Sequence, residues 1–191
     1  MGALALGLIL FLGAHSAKIF APRWRERVIG RIGPVGWRVG HSAVSLAGFL
    51  LIVFGFARAG GFAPLYTPPL ALRHLNALFT LIAFILVAAA YVPGNHLKAA
   101  IGHPMLAGVK LWALGHLLAN GTPRDLLLFG AFLFWAIVDF AVSRRRDRVA
   151  AIAYPAGGLA GDVGAAVIGV AAWALFAFYL HQRWIGVAPF G

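Results

Sequence analysis

Seven histidines, and one carboxylate embedded in an apolar run, Asp139, are the residues of this chain best suited to chemistry. His15 falls in the opening apolar stretch, and His116 ends the segment ValLysLeuTrpAlaLeuGlyHis. A neutral imidazole can ligate haem iron, and histidines from two helices can hold a haem inside a bundle. A hydrogen bond across a helix interface is the plainer role for either, and the residues alone leave both open. Asn120 lies four positions after His116 and Trp112 four before it, so the three share a helix face that can line a pocket. Helix-end capping explains Asn120 equally well, and ordinary packing explains Trp112. Along the membrane normal the Cα atoms of His15 and His116 differ by on the order of 10 Å. One iron between them therefore needs a tilted haem or tilted helices.

The run from Tyr91 to Lys110 is the most motif-like part. His103 precedes Pro104 at a helix start, where free backbone N–H groups favour anions. Asn95, His96 and Lys98 are placed to help bind a phosphate or carboxylate, or simply to cap a turn between two spans. Asp139 and Lys110 fall at similar depth, and an ion pair between them would offset their burial; the alternative is a proton or substrate group. His74, at the outer start of the third span, is a third possible ligand or an interfacial residue. His41 and His181 lie near span ends and read as polar tips at the interface.

Other chemistries are excluded by what is missing. The chain has no cysteine, hence no disulfide, iron–sulfur cluster, thiolate-ligated haem or Cys-based zinc site. There is no HExxH, P-loop, dinucleotide fingerprint or Ser–His–Asp signature.

The elements that must position these groups follow from hydropathy. Of 191 residues, 62% are hydrophobic and 11% charged, too little polar surface for a water-soluble globule. Spanning helices need about 20 mostly apolar residues. Six can be read: Gly2 to Phe20, Trp37 to Ala57, Arg73 to Tyr91, Pro104 to Ala119, Pro123 to Ser143 and Asp162 to His181. The expected fold is all-α: a polytopic helical membrane bundle of about six spans, forming a single domain over residues 1–191. The fourth span is short and carries Lys110 and His116, which predicts a place inside the bundle.

The net charge of +11 does not point to nucleic acid. Its basic residues fall in short connections, as topology rules and lipid headgroups require. Three such connections hold Lys18 to Arg38, Lys98, and Arg144 to Arg148. By the positive-inside rule these face the cytoplasm, with both termini on the outer side of the membrane. The first, from Arg23 to Ile32, reads as a basic amphipathic segment on the membrane surface. The opposite connection from Gly60 to Leu70, rich in Gly and Pro, is expected to pack on the bundle or the headgroups. Small residues at Gly161, Ala165 and Gly169 predict helix packing or dimerisation.

Several segments together resemble the NnrU family of bacterial membrane proteins: PheLeuGlyAlaHisSer at Phe11 to Ser16, AlaTyrValProGlyAsn at Ala90 to Asn95, and GlyHisProMetLeu through LeuTrpAlaLeuGlyHisLeuLeuAlaAsnGly, from Gly102 to Gly121. The resemblance covers essentially the whole chain. It implies a link to nitrite and nitric oxide reduction in denitrifying bacteria. The family is similar to the plant 15-cis-zeta-carotene isomerase, a membrane enzyme with haem b. That similarity implies haem b here, with His15 and His116 as the iron ligands. The isomerase has a cysteine three residues before its fourth-span histidine, where this chain has Ala113.

Three functions are therefore carried forward: a haem-binding protein supporting nitrogen-oxide reductases, a haem-dependent isomerase acting on an isoprenoid or other lipid, and a non-catalytic assembly partner or carrier.

Overall fold

The computed structural model describes residues 1–190. Among them the secondary structure is helical throughout, and each helix boundary has a local cause. α1 is Gly2–Phe20 and α2 is Pro22–Arg58, with a proline in the first turn of α2, where its missing N–H costs nothing. α3 is Leu70–Tyr91 and ends before Pro93. A short α4, His96–Ile101, leads through Gly102 (φ +77°) into α5, Pro104–Ala119. α6, Pro123–Val149, opens on a capping box between Thr122 and Asp125. α7, Leu159–Leu175, runs through one π turn, Phe176–Leu180, into α8, His181–Ile185.

Five of these elements are long and apolar enough to cross a membrane: α1, α2, α3, α6 and the α7–α8 unit. α5, at 16 residues, is the shorter sixth. The protein is an all-helical membrane bundle.

The spans pack as a row, with α2 on α1, α1 on α6, α6 on α5, α5 on α3 and α3 on α7. α5 is flanked on both sides, as its polar residues predicted. Large apolar side chains such as Ile9, Phe49, Phe134 and Val167 point outward, as a lipid-facing surface requires. The buried core joins Leu4 and Leu8 of α1, Ile52 of α2, Ala113 of α5, and Leu128 and Phe129 of α6. In a hydrocarbon solvent such helices associate through close backbone approach. A Cβ on Gly7 would lie 2.6 Å from the Ile52 nitrogen, and one on Gly48 2.7 Å from that of Phe11. The small residues of α7 serve the same end. Gly161 abuts the Gly94 carbonyl, Gly169 abuts Ile85, and Ala165 is fully buried. They pack α7 within the molecule.

The basic connections gather at one end. Arg146 donates to the Lys18 carbonyl at 3.2 Å, and the Gly158 N–H donates to the Gly94 carbonyl at 2.8 Å. At the other end, the Leu65 N–H donates to the Gly121 carbonyl at 2.7 Å, and the Tyr66 hydroxyl donates to the Leu117 and Asn120 carbonyls. The Gly/Pro-rich connection thus packs onto the α5–α6 turn.

α2 differs from its sequence reading. It is helical from Pro22, but Gly33 stands at φ +74°, ψ 166°, just before Pro34. Positive φ is open to glycine at little cost, and the following proline disfavours the α region at residue 33. The basic segment therefore becomes a helical arm folded back on the span. In a straight helix Trp24 and Trp37 would be about 20 Å apart; here their rings are 5.9 Å apart.

Candidate functional site

His15 lies one turn from the basic end of α1. Its Nδ1 is 2.7 Å from the Phe11 carbonyl. A carbonyl only accepts, so Nδ1 carries the proton and Nε2 keeps a free lone pair. His41, on the facing turn of α2, sits with its ring centroid 5.0 Å from that of His15, edge to face. Anchoring one ring nitrogen on a carbonyl while leaving the other bare is the way metal-ligating histidines are oriented.

Both rings open on a surface hollow of about 380 Å³, lined also by Phe11, Ser42, Ser45 and Phe49, of which Ser42 and Phe49 are exposed. The Ser45 hydroxyl is buried there without a partner, and a buried polar atom left unpaired is costly. The Trp135 ring stands 6.2 Å from His15, and the Trp37 ring 6.0 Å from His41. Behind α1, between it and α6, runs an apolar groove of about 500 Å³, lined by Leu8, Leu12, Ser16, Phe134 and Trp135. The Trp135 N–H is buried and unpaired.

His116 is held differently. It stacks on Phe129 at 4.5 Å, with interplanar angle 6°, and meets the Trp112 ring at 5.6 Å. The Asn120 amide is 2.9 Å from the His116 carbonyl and 3.2 Å from its Nδ1. The group facing a carbonyl must be the NH₂, so Nδ1 accepts and the proton resides on Nε2. Trp112, His116 and Asn120 do share one face, as their spacing predicted, and that face is filled by aromatic packing.

The structure does not place His15 and His116 side by side. From His15 the rings of Phe11 (4.4 Å), Phe132 (5.8 Å from Phe11) and Trp112 (5.5 Å from Phe132) fill the path to His116. His41, read as an interfacial tip, is the histidine next to His15. Sequence spacing could not find it, because the pairing depends on α1–α2 glycine contacts and on the register they set. His74 is exposed at the far end of α3. His181 donates from Nδ1 to the Val187 carbonyl at 2.7 Å.

At the basic end the motif-like segment is consumed by structure. The Asn95 side chain is buried. It accepts from the Lys98 N–H at 2.7 Å and donates to the Ala89 and Val92 carbonyls at 2.9 and 2.6 Å. Lys98 donates to the Ala90 carbonyl at 2.9 Å. Asp162 accepts from the His96 backbone and ring at 2.7 and 2.6 Å. The His103 Nε2 is 2.7 Å from Asp147, to which the Tyr154 hydroxyl also donates at 2.6 Å. Burial, then the bond to this carboxylate, pushes the Tyr154 hydroxyl above its ordinary pKa. These groups clamp the α4–α5 connection to the start of α7 and the end of α6, which is the capped-turn reading. The expected Asp139–Lys110 pair does not form. Asp139 accepts from the Ser143 hydroxyl at 3.0 Å, and the Lys110 ammonium lies 3.7 Å over the Phe140 ring. With the aromatic face one residue from Asp139, the ammonium takes a cation–π contact instead.

Among the described residues no three His, Asp or Glu side chains cluster as a metal-ion site. For a haem the question is which histidine nitrogens are bare beside an opening. His15 and His41 meet that test; His116, with Nδ1 occupied and a face covered, does not.

No curated protein and no solved structure is similar enough to match the chain. A family model described as NnrU protein matches residues 3–189, and the chain belongs to that family.

Proposed function

We propose that this protein is a haem b-binding member of the NnrU family, working in the bacterial inner membrane in support of nitrite and nitric oxide reduction. The observation that carries the haem reading is the His15–His41 pair, with His15 fixed on the Phe11 carbonyl and both rings beside an open hollow. His15 would offer the iron a nitrogen, and His41 stands beside it. Phe11 and Phe49 supply apolar walls for a flat ligand. When bound, haem supplies one-electron redox chemistry or Lewis acidity. The positive-inside rule places the basic end, and this cavity with it, toward the cytoplasm. The tie to nitrogen-oxide reduction comes from the family name, and reductase components are the corresponding partners.

The test is an absorption spectrum of protein purified in detergent after expression with ample haem. A stoichiometric Soret band, absent from His15→Ala, is the expected result. A wild-type protein free of haem overturns the proposal and leaves the assembly-partner reading.

A second reading draws on the apolar groove between α1 and α6, which runs alongside His15 and carries the unpaired Trp135 N–H. Such a groove suits an isoprenoid or other lipid substrate of a haem-dependent isomerase. Co-purification of a stoichiometric isoprenoid, lost when Ala131→Trp fills the groove, would favour it.

A further inference from the structure

Arg25 is the one arginine of the folded-back arm that is not exposed. Arg23, Arg27, Arg31 and Arg38 all are. Arg27 and Arg38 donate to the carbonyls four residues earlier, at 3.4 Å each. Arg25 instead lies 5.5 Å over the Trp37 ring, and Trp37 in turn packs on His41 at 6.0 Å. Among the described residues both carboxylate ion pairs are formed elsewhere, by His96 with Asp162 and His103 with Asp147, so Arg25 stands on Trp37, next to the cavity-lining His41, with no acidic partner.

The arrangement depends on the arm. Arg25 precedes Trp37 by twelve residues and would be about 18 Å away along a straight helix. The bend at Gly33 brings the cation back over Trp37, which packs on the cavity-lining His41. A half-buried guanidinium without an anion, pre-oriented on an aromatic face, is suited to recognise a carboxylate.

We infer that Arg25, carried on the Gly33 bend and braced by Trp37, binds the carboxylate end of a flat, apolar amphiphile whose body occupies the His15–His41 cavity. For haem that end is a propionate, so the inference rests on the haem proposal and adds the residue that orients the ligand. Lipid headgroup phosphates share this anionic chemistry, and the experiment separates the two.

The protein is placed in phosphatidylcholine nanodiscs and titrated with ferric haem and with its dimethyl ester, read by the Soret shift. Arg25→Gln should weaken haem at least tenfold and leave the ester unchanged, while Arg25→Lys keeps most of the affinity. Gly33→Ala, which disfavours the bend, should act in the same direction. Equal affinity of Arg25→Gln and wild type overturns the inference while the haem proposal stands. So does equal weakening toward both probes, which would mark Arg25 as structural. Loss of the Arg25 dependence when phosphatidylglycerol is added assigns Arg25 to headgroups and also overturns it. Failure of the wild type to bind either probe overturns both readings.

Discussion

At the scale of single residues, environment decides which polar groups remain available. Seven histidines look alike in sequence, and the structure sorts them by what holds each nitrogen. His96 and His103 face carboxylates, and His116 accepts from Asn120. His15 and His41 share a cavity. The sequence singles out His15 but not its neighbour, because a histidine near a span end looks the same whether it points to headgroups or across to another helix. Asn95, with three buried hydrogen bonds, is structural. Asn95→Ala should cost about 1–3 kcal/mol, seen as a lower midpoint of thermal unfolding in detergent. Tyr154, whose hydroxyl is held protonated beside Asp147, should ionise only above the ordinary tyrosine pKa of about 10. In an ultraviolet titration the Tyr154→Phe variant should lack one of the late phenolate steps of the wild type, while the earlier ones persist.

At the scale of elements, hydropathy and punctuation located the helices because apolar length and proline position are local properties. Pro22, Pro93, Pro104 and Pro123 each mark a boundary seen in the structure. The arm was legible as amphipathic and basic. Its fold-back was not, since it depends on the φ of Gly33 and on ring contacts twelve or more residues apart. The Asp139–Lys110 pair failed for a related reason: similar depth on two helices says nothing of which way each side chain points. The α1–α2 contact rests on glycine. Gly48→Val or Gly7→Leu should force the helices apart at a cost of about 1–3 kcal/mol. Because Gly48 lies one turn from Ser45, the same change should reshape the His15–His41 cavity. A fall in haem affinity alongside the fall in stability would report it.

At the scale of the whole molecule, the row of spans leaves openings between neighbours that face lipid, with cations crowding one end. The positive-inside rule predicts the orientation from that crowding. The chain has no cysteine, so single-cysteine variants report topology without background. Gly60→Cys, at the end away from the arginines, should react with an impermeant maleimide in intact cells, and Val149→Cys only after lysis. The reverse pattern would invert the assigned orientation.

The central claim is that His15 and His41, rather than His15 and His116, form the ligand-holding centre. The most direct test is the haem occupancy of His15→Ala, His41→Ala and His116→Ala proteins, purified side by side and compared by Soret absorbance per polypeptide at matched monodispersity. Occupancy should be lost in His15→Ala, and lost or spectrally altered in His41→Ala, with His116→Ala close to wild type. A His116→Ala protein without haem beside an unaffected His41→Ala would contradict the account and restore the cross-bundle pair.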